Sequence, residues 1–167
     1  MYKHILLPTD GSPLSKRAIA PAVELAKATG ARITAVTVMP ESVSSSGNWG
    51  FLRTYADGWR MPGTDATPEP PEAPESAHDR EDQIRCAAED LLRDIETAAG
   101  AAGVPYEGTY RIHDEPYEAI VELAKERGCD LIAMASHGWR GAKALLLGSE
   151  TSKVLTHSEI PVLVLRS

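Results

Sequence analysis

Short apolar runs alternate along this chain with stretches of helical periodicity. Lys3–Pro8 reads KHILLP and predicts a buried strand over Tyr2–Leu7, closed by proline. Ser12-Pro13 then has the form of an N-cap followed by proline at the first helical position. Ile19, Ala22, Val23 and Ala26 continue with helical spacing up to Gly30, placed as a C-terminal stop. Pro21 falls inside this segment, where an interior proline costs about 3 kcal/mol and predicts a kink. Arg32–Met39 (RITAVTVM) is rich in β-branched residues and predicts a second strand.

After a long irregular stretch, Ser76-x-x-Asp79 opens a helix whose apolar face is Ile84, Ala88, Leu91, Leu92, Ile95 and Ala99, stopped by Gly100 and Gly103. Glu107–His113 predicts a strand. Asp114 or Glu115 then caps a helix with Pro116 at its first position and Gly128 as its stop. Asp130–Ala135 predicts a buried strand, Ser149–His157 a short helix, and Pro161–Arg166 (PVLVLR) a last, very apolar strand.

The order is β-α-β-(insert)-α-β-α-β-α-β. Such alternation implies an α/β fold, a parallel sheet with helices on both faces. The expectation is one domain over residues 1–167, with an insertion at 41–76. The first half of that insertion holds Trp49, Phe51, Tyr55 and Trp59, four of the nine aromatics. Those rings are expected either to pack permanently or to respond to a ligand. The second half is rich in proline and acid, too poor in apolar residues to pack by itself.

Composition sharpens this picture. With 167 residues, 43% hydrophobic and 25% charged, the chain can bury roughly two-thirds of its unfolded surface without staples. The net charge of −7 is concentrated between Thr64 and Asp82, which carry seven acidic residues against Arg80. There is no basic stripe to neutralise a phosphate backbone, so nucleic acid is not an expected partner. No apolar run approaches the roughly 20 residues of a membrane helix, and MYKHILLPTDG lacks a signal-peptide core. Cys86 and Cys129 do not make a disulfide framework; both read as reduced core or boundary thiols, and a cytoplasmic location is expected.

In open α/β sheets, ligands sit beyond the carboxyl ends of the strands where the strand order reverses. Three loops should meet there: Pro8–Ser12 (with Pro8, Thr9 and Asp10), Met39–Glu41 and Ala135–Thr151. The third carries Ala135-Ser136-His137-Gly138-Trp139-Arg140-Gly141 and, six residues on, Gly148-Ser149-Glu150-Thr151. Glycines let backbone amides approach an anion, and the start of a helix offers unpaired donors. Ser136, Arg140, Lys143, Ser149 and Thr151 add side-chain donors. Two readings stay open: a polyphosphate cradle, or glycines that end a strand and cap a helix. Asp10 is likewise either a ligand contact or a turn residue.

The opening ILLPTDGS, the segment MASHGWRGAKALLLGSETSKVLTHS and the closing IPVLVLR resemble the universal stress protein family, over nearly the whole chain except Glu41–Ser76. The ATP-binding branch of that family carries a G-x2-G-x9-G-[ST] pattern. Here Gly138, Gly148 and Ser149 match it, and Ala135 replaces the first glycine. The resemblance implies a Rossmann-like five-stranded parallel sheet that binds ATP or AMP, with Mg2+ as an optional companion. It implies that Asp10 meets the ribose or its metal-linked surroundings, and that the Val38 backbone meets the adenine. Ala135, Ser136, His137, Gly138, Gly141, Gly148, Ser149, Glu150 and Thr151 would hold the phosphates. Glu150 stands where the family often has valine, and a carboxylate there repels phosphate unless it points away or binds a metal. The resemblance also implies a homodimer through Pro161–Leu165, a strand that would otherwise leave a bare sheet edge.

No general base for efficient turnover is evident, so a nucleotide-dependent stress regulator is expected, with slow ATPase activity left open. The alternative is a dimeric interaction module of the same fold that binds no nucleotide. The histidines have no metal-ligand spacing, and no G-x-S-x-G elbow supports a hydrolase triad.

Overall fold

The apolar runs at His4–Pro8, Arg32–Met39 and Leu131–Ala135 become strands buried on both sides. The computed structural model describes residues 1–41, 77–136 and 147–166. Its elements are β1 (His4–Pro8), α1 (Pro13–Lys16), α2 (Ile19–Thr29), β2 (Arg32–Met39), α3 (Ala77–Ala102), β3 (Tyr106–Ile112), α4 (Pro116–Glu126), β4 (Leu131–Ala135), α5 (Ser149–His157) and β5 (Val162–Leu165). The strands form one parallel sheet in the order β3-β2-β1-β4-β5. This is the doubly wound α/β architecture expected from the alternation.

Strand periodicity divides the core in two. Ile5, Leu7, Ile33, Ala35, Leu131 and Ala133 face α2 and α3, together with Ile19, Val23, Leu92 and Ile95. Leu6, Val36, Ile132 and Met134 face the other way, onto Ile120, Leu123 and Ala124 of α4 and Val154 of α5. A smaller cluster of Met39, Ile84, Ala88 and Leu91 lies under the first half of α3.

Two local expectations change, and one stated alternative is resolved. Pro21 does not kink a long helix, because the chain breaks into α1 and α2 before it. Pro21 thereby falls in the first turn of α2, where no amide is owed to a preceding carbonyl. Gly100 does not stop α3, which runs on to Ala102; the stop is Gly103, whose φ of +69° is a left-handed conformation suited to glycine. Glu115, not Asp114, stands at the cap position of α4, and its side chain makes no cap bond. Asp114 instead accepts from the Glu41 amide at 2.9 Å. Cys86 is exposed on α3, while Cys129 is buried and its thiol is pushed up to about 11, mainly by burial.

Residues 42–76 of the expected insertion, with its four aromatics and the Ser76 cap, lie outside the described residues. No helix among the described residues is long and apolar enough to cross a membrane.

Candidate functional site

The strand order reverses between β1 and β4. From β1 the chain moves outward to β2 and β3, then returns to the other side of β1 for β4 and β5. The crossovers from β1 and β4 therefore leave toward opposite faces of the sheet, and in sheets of this kind the carboxyl ends at such a reversal are where ligands bind. Pro8, Thr9 and Asp10 follow β1 at this point, Ala135 and Ser136 end β4, and α5 begins beside them at Ser149.

The first wall is a compact turn. Asp10 Oδ1 accepts from the Ser12 amide at 3.0 Å, and Gly11 between them takes φ +72°. Thr9 Oγ1 accepts from the Gly11 amide at 3.2 Å and lies 3.1 Å from Ser15 Oγ, which itself donates to the Ser12 carbonyl. The Ser15 proton is thus committed, so Thr9 donates to Ser15. Ser12 Oγ accepts from the Ser15 amide at 3.0 Å and caps α1. Asp10 is a turn residue, half-buried just beyond the carboxyl end of β1. Ser15 escaped the sequence reading; its only signal was the Ser12-x-x-Ser15 spacing of a capped first turn.

The second wall is the β4–α5 junction. Thr151 is 3% exposed and its hydroxyl donates to the Ala135 carbonyl at 3.0 Å. The Gly148 amide donates to the Ser136 carbonyl at 2.8 Å, and the Ser136 amide to Leu165 at 3.0 Å. Thr151 and Gly148 therefore fasten α5 to the end of β4. Gly148 has φ −58° and ψ 153°, which any residue adopts, so no backbone strain demands glycine there. The amides of the first turn of α5 open toward the junction with the partial positive charge of a helix start.

The third wall is β2. Pairing of β1 with β2 ends at Pro8 opposite Val36, and the Thr9 amide donates to the Val36 carbonyl at 2.9 Å. Polar groups of alternate strand residues point the same way, so the Val38 amide and carbonyl turn toward the space that β1 has left.

Glu150 does not project into this space as a lone charge. Its Oε2 accepts from the Tyr117 amide, in the first turn of α4, at 3.1 Å. Its Oε1 lies 3.5 Å from Lys153 Nζ. Tyr117 and Lys153 were not read as site residues from sequence, because Tyr117 is a chain-distant partner. The topology sets Pro8, Thr9 and Asp10 after β1, Val38 near the end of β2, and Ala135, Ser136 and Gly148 to Thr151 after β4, at the carboxyl ends of neighbouring strands. His137, Gly138, Arg140 and Gly141 lie outside the described residues, as does Lys143. Among the described residues, no cluster of three or more His, Cys, Asp or Glu side chains has metal-binding geometry.

The sequence model of the universal stress protein family matches residues 1–166. The chain belongs to the universal stress protein family. A universal stress protein of Thermus aquaticus is 32% identical over 166 residues, covering 99% of this chain and 100% of that one. The universal stress protein YxiE of Bacillus subtilis is 29% identical with the same coverage. Among solved structures, universal stress protein UspA from Lactobacillus plantarum superposes with a TM-score of 0.67 at 22% identity, over 99% of this chain and 98% of that one. A universal stress protein in complex with cAMP gives 0.61 at 23% identity, over 99% and 97%. These two likenesses establish the shared universal stress protein fold.

Proposed function

We propose that this universal stress protein binds an adenine nucleotide, AMP or ATP, in the crevice at the carboxyl ends of β1, β2 and β4, and acts as a nucleotide-dependent stress-response regulator in the cytoplasm. The observation that carries the reading is the fastening of α5 to β4 through Thr151–Ala135 and Gly148–Ser136. That junction aims a helix start into the strand-order reversal, where a phosphate finds amide donors. In this reading the Val38 backbone pairs with a base edge, and Asp10 meets a ribose hydroxyl or a Mg2+ carried with the phosphates. A solved relative of this fold in complex with cAMP adds support. In this reading Ala135, Ser136, Gly148, Ser149, Glu150 and Thr151 form the phosphate side, joined by His137, Gly138, Arg140 and Gly141. The protein works as a homodimer through the strand Pro161–Leu165.

The test is to denature freshly purified protein, identify any released nucleotide by mass spectrometry, and titrate emptied protein with AMP and ATP by calorimetry. Released adenine nucleotide, or saturable heat, supports the reading. No nucleotide and no heat at millimolar ligand would leave the dimeric interaction module as the function.

A further inference from the structure

β3 is the outer strand at the end of the sheet away from β5. It pairs with β2 from Tyr106 to Ile112. The Ile33 amide donates to the Pro105 carbonyl at 2.8 Å before this run, and the His113 amide to the Met39 carbonyl at 2.8 Å after it. Backbone groups alternate in direction along a strand. Those of Glu107, Thr109 and Arg111 therefore face β2, and those of Tyr106, Gly108, Tyr110 and Ile112 face outward. Among the described residues, no strand pairs with this outer edge. Edges are blunted by charge, proline or a bulge. Here the charged side chains are drawn elsewhere: Glu107 to Arg127 at 2.6 Å and Arg111 to Glu126 at 2.8 Å. The Tyr110 carbonyl accepts a long bond of 3.4 Å from Arg111 Nη1.

Where α3 passes over this edge, Glu89, Leu92, Arg93 and Glu96 enclose a pocket of about 410 Å³ with Tyr106 and Gly108. Ligand sites commonly measure about 300–1,000 Å³. The Tyr106 side chain lies across Gly108: a methyl group there would come 2.5 Å from Tyr106 Oη and 3.3 Å from Leu92 Cδ1. Glycine thus makes room for the phenol and leaves the strand backbone exposed beside the pocket. The α3 wall is acidic. Arg93 pairs with Asp90 and Arg85 with Asp82, while Arg85 approaches Glu89 only to 4.0 Å. Burial, then the charge of Glu96, push the Tyr106 hydroxyl up to about 12.

We propose that the outer edge of β3 is a strand-addition site for an extended segment of a partner protein, one that carries a lysine or arginine into the pocket between Glu89 and Glu96. The partner's main chain takes up the outward groups of Gly108 and Tyr110, and alternate side chains of the added strand face α3. The aliphatic stem of the basic residue lies along Leu92 and Tyr106 while its head reaches the carboxylates. Pairing through β5 leaves this edge open, since the two strands are at opposite ends of the sheet.

The experiment titrates the full chain with the synthetic peptide Thr-Val-Thr-Lys-Thr-Val-Thr, following backbone amides and their hydrogen exchange by NMR. Without peptide, the amides of Gly108, Tyr110 and Ile112 should exchange fast and those of Glu107, Thr109 and Arg111 slowly. The peptide should shift Gly108 and Tyr110 saturably and slow their exchange. Glutamate in place of its lysine should weaken binding at least about fivefold, and Glu89→Gln with Glu96→Gln should level the two peptides. Both substitutions fall at exposed helix positions, and the peptide comparison on wild type stands without them. No saturable shift at millimolar peptide, or equal binding of the two peptides to wild type, overturns the proposal. So does slow exchange of Gly108 and Tyr110 in the peptide-free chain, which would mean that another part of the chain already covers the edge, or a second copy if the protection fades on dilution.

Discussion

The Nδ1 atom of His4 accepts a hydrogen bond from the Arg32 guanidinium at 3.0 Å, while Nε2 of the same ring lies 2.8 Å from Thr34 Oγ1. An accepting Nδ1 carries no proton, so the neutral ring holds its proton on Nε2 and donates it to Thr34. The ring is 5% exposed and ties β1 to β2 at the amino end of the sheet. Burial, then the Arg32 charge, lower its pKa below 6.5, against weaker opposing effects of Asp130 and Glu107.

That arrangement sets a pH dependence. Below pH 6.5 the unfolded chain takes up a proton at His4 that the folded chain resists, so stability is full above 6.5 and falls as pH drops toward the folded value. Asp130 adds a second window. Burial pushes its carboxyl up, but the amides of His4 and Lys3 outweigh this and hold it below 3.8. Its contribution is present above 3.8 and is lost as pH falls through the folded value. Urea midpoints should decline between pH 7 and 5, and His4→Gln should flatten that decline while leaving the acid limb. A wild-type midpoint constant from pH 7.5 to 5 contradicts the assignment.

Thr151→Val keeps the shape of the side chain and deletes the proton given to the Ala135 carbonyl. A buried acceptor left unmade costs about 1–3 kcal/mol. The melting temperature should fall by roughly 2–4 °C per kcal/mol for a chain of this size, and Thr151→Ser should recover most of the loss. Equal melting of Val and wild-type proteins would show that the junction does not depend on this bond.

Gly148 separates fold from function. Its φ of −58° does not demand glycine, so Gly148→Val should fold without ligand, at a helix-cap cost of about 1 kcal/mol. The added methyl groups stand where a phosphate must approach, and nucleotide affinity should fall at least about tenfold, or about 1.4 kcal/mol. An unchanged dissociation constant would move the binding site elsewhere.

Sequence legibility followed the range of each interaction. β2 was readable to the residue as Arg32–Met39, since β-branched residues between Gly30 and Pro40 leave little choice. α5 was equally clear at Ser149–His157. The break between α1 and α2 was not, because whether Pro21 kinks a helix or begins one depends on where the preceding turn ends. The candidate loops were found from strand ends and glycines, but the hydroxyl of Thr151 read as a donor to phosphate and is given to Ala135. The repulsion expected from Glu150 likewise could not be weighed from sequence. Its partner Tyr117 sits on another helix, and no local pattern brings a side chain to a distant amide. His4 looked like one of several scattered histidines for the same reason.

The outer edge of the sheet offers a fourth test. In β5, Leu163 is 36% exposed, while Val162, Val164 and Leu165 are half-buried. An apolar edge strand invites pairing. Wild type should sediment as a dimer, and Leu163→Lys, which disturbs little of the protomer's own core, should shift it toward monomer. A monomeric wild type at micromolar concentration refutes the pairing.

The bond from the Gly148 amide to the Ser136 carbonyl closes a ring around everything between those two residues. Ser136 directly follows β4 and Gly148 directly precedes α5, so the bond ties the two elements at their facing ends. Strand end and helix start are thus registered by a single backbone bond, and the position of α5 follows directly from that of β4.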